Sequence, residues 1–249
     1  MKMTLLDMVQ DILSDMSGDA VNSIGDTEEA LQIAQIIKST YNEMMTRREW
    51  PHLKQLVALE SYSNNLYPTY LILPRNTRRV EWITYNQRTF ENPVDVFSPI
   101  KFMLPNEFIQ WTNSRNTASD GVKVVKTPTG VSFKVLDNTP PTYFTSFDDK
   151  FVVMDSYEGM LEDTLQGANS QCEVYIYPDW YTEDGFIANL PGHLFPALLA
   201  EAKSACFYII KQMANEKAEQ QSKRQQNQMS MNGWKISGGV TYPNYGRRR

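Results

Sequence analysis

The sequence predicts an α+β protein, with helices at both ends of the chain and a β-rich middle. Apolar residues recur at helical spacing near both ends. Residues 53 to 177 instead carry short segments rich in Val, Ile, Thr and aromatic residues, bounded by Asn, Asp, Gly and Pro. We therefore expect a helical bundle, built from an N-terminal helix pair and a long C-terminal helix, with an inserted β-rich domain of sandwich or barrel-like form.

The first helix is predicted from Met3 to Met16. Thr4 can cap its N-terminus, because a threonine hydroxyl accepts a hydrogen bond from the first helical amides. Ser17-Gly18 ends it, because glycine accepts the left-handed conformation that often follows a helix. The apolar residues recur every three or four positions and define a buried face: Leu5, Met8, Val9, Ile12, Leu13 and Met16.

A second helix is predicted from Asp26 to Glu49. Asp26 is placed to cap it, and Glu29 stands three residues later in a box-like position. Pro51 ends the helix, because the residue before a proline is disfavoured in helical conformation. The expected buried stripe contains Ala30, Ile33, Ile37, Tyr41 and Met44.

The β-rich region is predicted to contain eight short strands. Turns at Thr127–Gly130 and Asp148–Lys150 each join two of them. The stretch from Asn86 to Asp120 is expected to be irregular, with a helical turn at Asn106–Trp111, and Tyr157–Gln171 is expected to be a loop. The strands are Leu53–Glu60, Thr69–Leu73, Arg79–Tyr85, Val122–Lys126, Val131–Leu136, Thr142–Phe147, Phe151–Met154 and Cys172–Tyr177.

Residues 193–229 are predicted to form one helix of about 37 residues, roughly 55 Å long at 1.5 Å per residue. Its first half carries an apolar stripe of Leu194, Leu198, Ala202, Cys206, Ile209 and Met213. Its second half, from Ala214 to Gln228, has no large apolar residue, and such a helix frays unless something packs beside it. We therefore predict contacts with other copies of the chain, through Glu216, Glu219, Lys223 and Arg224.

Composition restricts the class of protein. The chain has 249 residues, 41% of them hydrophobic, and a net charge of −5, so we expect no general attraction to nucleic acid or to an anionic membrane. It lacks the apolar run of about 18 residues that spans a membrane. Asp7 and Asp11 interrupt what would be the apolar part of a signal peptide. Cys172 and Cys206 have no metal-type spacing, which favours synthesis in a reducing cytoplasm.

The residues that could carry catalysis have simpler explanations. His52 and His193 have no partner at motif spacing. Three acid pairs stand where acids are solvated or favoured by a helix N-terminus: Asp148-Asp149 in a turn, Glu162-Asp163 in a loop and Glu28-Glu29 in a first helical turn. We therefore expect no catalytic residue, no cofactor and no metal. The alternative is a virion-associated peptidoglycan hydrolase that uses Glu162 and Asp163 or Asp148.

Aromatic residues are numerous and could in principle stack bases. The cluster of Tyr175, Tyr177, Trp180 and Tyr181 begins on a strand and continues past a proline. No basic residue interleaves with it along the sequence, which argues against binding of single-stranded nucleic acid. Packing in a core or an interface is the favoured interpretation.

The chain closes with a segment, 230–249, that has no structural period. It combines aromatic residues with a terminal arginine triplet: Trp234, Tyr242, Tyr245, Arg247, Arg248 and Arg249. Aromatic anchors beside charge are typical of a peptide arm that docks on a partner. A solvated terminal tail explains the same composition equally well. The predicted organisation is thus a helical domain (1–52 and 190–229), a β-rich domain (53–189) and an extended tail (230–249).

Three local features resemble the head-to-tail adaptors of short-tailed bacteriophages, the tail tubular protein A family. The first is the N-terminal helix pair that ends in Arg48-Glu49-Trp50. The second is the strand pair PTYFTSFDD (141–149) and FVVMDSY (151–157). The third is LPGHLF (190–195), which leads into a long Ala-rich helix with a Gln, Lys and Glu-rich end.

The resemblance implies a virion structural protein without enzymatic activity. Members of that family form a ring, usually of twelve copies, between the portal protein and the tail nozzle protein. The helical part would build the ring, the β-rich part would project, and the C-terminal tail would reach the portal. Genomic DNA would pass through the ring without specific binding, and no membrane is involved. Another head-completion or nozzle component of different symmetry is the neighbouring alternative.

Overall fold

The computed structural model describes residues 2–213 and 215–231, with side chains to residue 225. It is an α+β structure that divides into two compact units. Within the described residues, the helical unit contains the chain up to Leu53 and the chain from Pro178 to Met231, and the β unit is Lys54–Tyr177. The second boundary thus lies at Pro178, whereas the sequence placed it at 190. The described chain contains the α-helices α1 (Leu5–Asp15), α2 (Glu28–Thr46), α3 (Pro105–Asn113), α4 (Phe195–Ile210) and α5 (Glu216–Met231).

Residues at the two ends of helix α1 determine where it begins and where it stops. Thr4 accepts from the Asp7 amide at 3.1 Å, and the Asp7 carboxylate accepts from the Thr4 amide at 2.9 Å, which lowers the pKa of Asp7. At the other end Ser17, with φ of 57°, takes the left-handed conformation that we expected of Gly18. A Cβ on Gly18 would lie 2.8 Å from the Leu13 side chain. A larger residue at 18 would therefore require the end of the Leu13 side chain to move, and the φ of Gly18 does not require glycine.

Helix α2 begins and ends inside its predicted limits. Thr27 caps it by accepting from the Ala30 amide at 3.1 Å. Asp26 is not the cap, because its carboxylate accepts from the loop amides of Asn22 and Ser23, both at 2.8 Å. The helix ends at Thr46, where the buried Trp50 indole donates to the Met44 carbonyl at 3.0 Å. The buried stripe is as predicted: Ala30, Ile33, Ile37, Tyr41 and Met44.

The helices α1, α2 and α4 contact one another in the helical unit. Lys203 on α4 reaches α1, with Nζ 2.9 Å from Asp11 and 2.6 Å from Asp15. The segment before α4 also joins this unit, because the Leu5 amide donates to the Phe186 carbonyl at 2.8 Å and the Trp180 ring lies 5.2 Å from that of Tyr41. These contacts explain why residues 178–189 belong with the helices.

The β unit contains three antiparallel or mixed sheets. The four-stranded sheet has the order β1-β11-β4-β5, the five-stranded sheet has the order β2-β3-β10-β9-β6, and β7 and β8 form a hairpin. The strands are β1 (Lys54–Val57), β2 (Glu60–Ser61), β3 (Tyr70–Ile72), β4 (Thr77–Asn86), β5 (Phe97–Pro99), β6 (Lys101–Phe102), β7 (Val122–Lys126), β8 (Ser132–Leu136), β9 (Tyr143–Thr145), β10 (Phe151–Met154) and β11 (Ser170–Ile176).

Side chains along a strand alternate between buried and exposed positions, which shows the face that packs on the core. Cys172 and Val174 on β11 are buried, whereas Gln171 is exposed. The predicted turns join β7 to β8 and β9 to β10. Gly130 in the first has φ of 90°, where only glycine is unstrained, and Asp149 in the second has φ of 57°. Buried side chains of all three sheets form one apolar cluster with Phe108 of α3.

The stretch from Asn86 to Asp120, which was expected to be irregular, contains two strands and a helix. Strand β5 pairs with β4, and β6 pairs with β9 as a parallel neighbour. Most residues of both strands are exposed, so no apolar alternation marks them. Helix α3 extends the predicted turn, since Pro105 occupies a first-turn position where its missing N–H costs nothing.

Candidate assembly surface

The C-terminal helical segment is a hairpin of two helices, and the prediction of one continuous helix is wrong. Helix α4 ends at Ile210 and α5 begins at Glu216. Gln212 between them has φ of 53°. The amides of Lys211 and Met213 both donate to the Phe207 carbonyl, at 3.2 and 3.3 Å. A left-handed residue after the last helical turn reverses the chain and stops the helix.

Helix α5 packs on α4 of the same chain. The Asn215 side chain caps it by accepting from the Ala218 amide at 3.1 Å. Ala218 and Ser222, four positions apart, are the buried residues of its described face, and the Ser222 hydroxyl donates to the Glu201 carboxylate on α4. Small side chains let the two helices approach closely. The polar helix therefore has a partner within its own subunit, which the sequence did not reveal.

Glu201 connects three helices of this unit. Besides the Ser222 hydroxyl, its carboxylate binds Arg47, which follows α2, with Nη2 at 3.2 Å from Oε1. Arg47 also binds Glu43 at 2.7 Å, and these carboxylates raise the pKa of Arg47. The hairpin is thereby attached to α2 as well as to α4.

The residues predicted to form inter-subunit contacts lie on the outer face of α5. Glu216, Glu219, Lys223 and Arg224 are all exposed. Two acids stand near the start of the helix and two bases stand one to two turns later, the order that the helix dipole favours. This face is a charged surface that a second molecule can reach.

Three large apolar side chains are exposed where α4 ends. Tyr208 is 73% exposed, Ile209 51% and Met213 68%. The predicted buried stripe holds for Leu194, Leu198, Ala202 and Cys206 but not for Ile209 and Met213. Ile209 lies in the last turn of α4, and Met213 lies beyond the end of the helix. We call these three residues the apolar patch. Grouped apolar exposure of this kind is typical of a contact surface.

The predicted docking tail lies outside the described residues. Trp234, Tyr242, Tyr245 and Arg247–Arg249 all fall beyond residue 231. The apolar patch was not anticipated by the sequence analysis, which placed Ile209 and Met213 in the core. A signal was present in Asn215 and Glu216, since an Asn cap followed by an acid marks a helix start.

The candidate catalytic residues lie in different local settings. His52 Nε2 lies 3.1 Å from the Asn189 carbonyl, and burial lowers the pKa of His52. Asp148 accepts from the amides of Lys150 and Phe151, both at 3.1 Å, which closes the turn. Glu162 binds Arg88 at 3.2 Å, which attaches its loop to the chain after β4. Asp163 lines an open groove beside β7.

The thiols of Cys172 and Cys206 are buried and unlinked. Burial raises the pKa of each to about 12, so both stay protonated at neutral pH. Among the residues that the structure describes, no group of three or more His, Cys, Asp or Glu could hold a metal ion. In the same part of the chain no helix has both the length and the apolar character needed to cross a membrane.

Comparisons with known proteins give no family for this chain. No protein-family model matches it, and no curated protein matches it.

Proposed function

We propose that the chain is a virion structural protein that assembles with copies of itself into a ring, as a head-to-tail adaptor between a portal and a tail nozzle. The observation that carries this proposal is the apolar patch at the end of α4, next to the exposed charged face of α5. Apolar side chains at the centre and charges at the rim are the usual composition of a protein interface.

The charge order along α5 supports contact between copies of the same chain. Glu216 and Glu219 on one copy can face Lys223 and Arg224 on the next, because the helix carries both signs on its exposed face. Such pairs direct partner choice and orientation more than they add affinity. In this proposal the apolar patch supplies the binding energy and α5 supplies the register.

The finer architecture belongs to the same proposal. The α1, α2, α4 and α5 helices act as a ring-forming bundle, and Lys54–Tyr177 acts as an inserted, sandwich-like or barrel-like domain that projects from it. The resemblance of LPGHLF (190–195) and of Arg48-Glu49-Trp50 to the adaptor family supports this division of roles. The role is structural and not catalytic, and the ring lies at the head–tail junction of the virion.

The proposal is tested by the mass of the particles that the purified chain forms, alone and with portal rings. We expect discrete particles at a multiple of the 28.7 kDa protomer, near twelve copies when portal is present. The double substitution Ile209→Lys and Met213→Lys should abolish them, because two charges cannot be buried without partners. Mass photometry measures the particle mass directly.

A matched control places the same change elsewhere. Leu66 and Met160 in the β unit are each 73% exposed, so Leu66→Lys with Met160→Lys adds the same charge to apolar surface that this proposal does not use. The control should assemble like the natural chain. A chain that stays monomeric at all concentrations with portal present, or equal loss in both variants, would contradict the proposal.

A further inference from the structure

One end of the four-stranded sheet carries a cluster of basic side chains. Lys54 stands on β1, Arg78 and Arg79 stand on β4, and Arg75 lies in the turn before β4. Strand β11 separates β1 from β4, and Lys54 and Arg79 both lie opposite Tyr175. The net charge of the whole chain is negative, whereas the side chains of this cluster are positively charged.

Arg78 lies over two tyrosine rings of the neighbouring strand. Its guanidinium carbon is 5.5 Å from the centre of the Tyr175 ring and 5.7 Å from that of Tyr177. Stacking of this kind holds a guanidinium in place while its N–H groups stay free to donate in the ring-parallel plane. Tyr175 is buried and Tyr177 is 49% exposed. No basic residue interleaves with these aromatics along the sequence, but the fold brings Arg78 to them from another strand.

Glu81 on β4 pairs with two members of this basic cluster. Glu81 binds Arg79 at 2.6 Å and Lys54 at 3.5 Å, and the hydrogen bond from Arg79 lowers the pKa of Glu81. Within the described chain Arg75 and Arg78 have no carboxylate partner, and both are exposed. We call these two residues, with Tyr177, the arginine patch.

The turn that carries Arg75 is held in place by backbone hydrogen bonds. The Thr77 amide and hydroxyl both donate to the Pro74 carbonyl, at 3.3 and 2.7 Å. The Tyr177 amide donates to the carbonyl of Asn76 at 2.7 Å, and Asn76 has φ of 66°. An ordered turn therefore presents Arg75, and the first residues of β4 present Arg78, so little backbone entropy is lost when a ligand binds.

We propose that the arginine patch binds the phosphodiester backbone of nucleic acid. Guanidinium groups match phosphate oxygens in bidentate geometry, and the half-exposed Tyr177 ring beside them offers a surface on which a base can stack. The contact is independent of sequence, because it reads phosphate and not base edges. It does not depend on the proposed ring, since every residue of the patch lies within the β unit.

The test is the salt dependence of oligonucleotide binding by the full-length chain. Fluorescence anisotropy with labelled single-stranded and duplex DNA, between about 50 and 200 mM salt, gives the slope of log affinity against log salt. Arg75→Ala with Arg78→Ala should reduce that slope by about 1.8 for duplex or about 1.4 for single strands. The affinity at the lowest salt should fall at least about tenfold. Arg247–Arg249 are unchanged in both proteins, so the difference reports the patch.

The matched control removes the same charge from other exposed positions. Lys38→Ala with Lys126→Ala should keep the natural slope, because both side chains are exposed and neither belongs to the arginine patch. Arg78→Lys should bind more weakly than the natural chain, since lysine lacks the stacked fork. The absence of binding at 50 mM salt, an unchanged slope in the arginine variant, or equally tight binding of polyglutamate would each overturn the proposal. Particle mass measured on the same samples reports ring assembly separately.

Discussion

Asp155 is a buried carboxylate that a buried guanidinium neutralises. Arg115 Nη2 donates to Asp155 Oδ2 at 2.8 Å, and the amides of Thr142 and Tyr143 donate to Oδ1, both at 2.9 Å. The Arg115 side chain is 10% exposed and that of Asp155 is 2% exposed. These bonds join the chain after α3 to the chain before β9 and after β10.

Removal of the Asp155 carboxylate should strongly destabilise the β unit. Asp155→Ala leaves the buried Arg115 charge without its carboxylate partner, and only backbone carbonyls still accept from it; breaking such a pair costs about 3–5 kcal/mol in comparable cases. Urea unfolding followed by tryptophan fluorescence measures the loss. Lys123→Ala, which breaks the more exposed pair with Asp137, should cost about 1 kcal/mol or less. Similar losses in the free energy of unfolding of the two variants would show that the buried pair stabilises the protein no more than the exposed pair does.

At the scale of one residue, sequence and structure agree where a side chain acts on its own neighbourhood. The caps at Thr4 and the turn at Gly130 are local, so their chemistry is visible in the sequence. Arg78 over Tyr175 and Arg115 with Asp155 join residues far apart in the chain. No spacing rule links such residues, because the pairing of strands decides which side chains meet.

The turn between α4 and α5 is the element that most changes the interpretation of the chain. None of Lys211, Gln212 and Met213 is a helix breaker, so the helical pattern runs through them without a visible stop. The strands are easier to place, because Cys172 and Val174 alternate with outward polar residues on β11. Strands β5 and β6 were not predicted, because most of their residues are exposed and show no apolar alternation.

Gln212→Gly should stabilise the hairpin. A non-glycine residue in left-handed conformation costs roughly 1–2 kcal/mol, and glycine removes that cost at the expense of some chain entropy. We expect a gain of about 1 kcal/mol in the free energy of unfolding, measured by urea denaturation with circular dichroism. The same change at Gln220, an exposed position within α5, should cost about 1 kcal/mol. Destabilisation by Gln212→Gly would mean that α4 and α5 are continuous.

At the scale of the whole molecule, the chain enters and leaves the β unit side by side. Lys54 on β1 pairs with Tyr175 on β11, and paired residues in an antiparallel sheet lie about 5 Å apart. The unit also has its own apolar cluster. Both properties are typical of a domain that can be separated from its host chain.

We therefore predict that residues 54–177 fold when produced alone. The fragment should give dispersed amide signals by nuclear magnetic resonance and one cooperative thermal transition. A fragment from residue 58 lacks β1, so it exposes the edge of β11 and should be less stable and prone to association. If the longer fragment is unfolded, the two units depend on each other.

The position of β1 in the chain also determines when the four-stranded sheet can form during biosynthesis. Its pairing partner is β11, and Val57 lies opposite Cys172, so the four-stranded sheet cannot close until the ribosome has released nearly all of the β unit. At a synthesis rate of roughly 5–20 residues per second, β1 stays unpaired for on the order of ten seconds. Helix α1 has its start and stop signals within its own short segment, but a helix of 11 residues is marginal in water until α2 and α4 pack on it. The nascent protein therefore carries an unpaired strand that a chaperone can recognise.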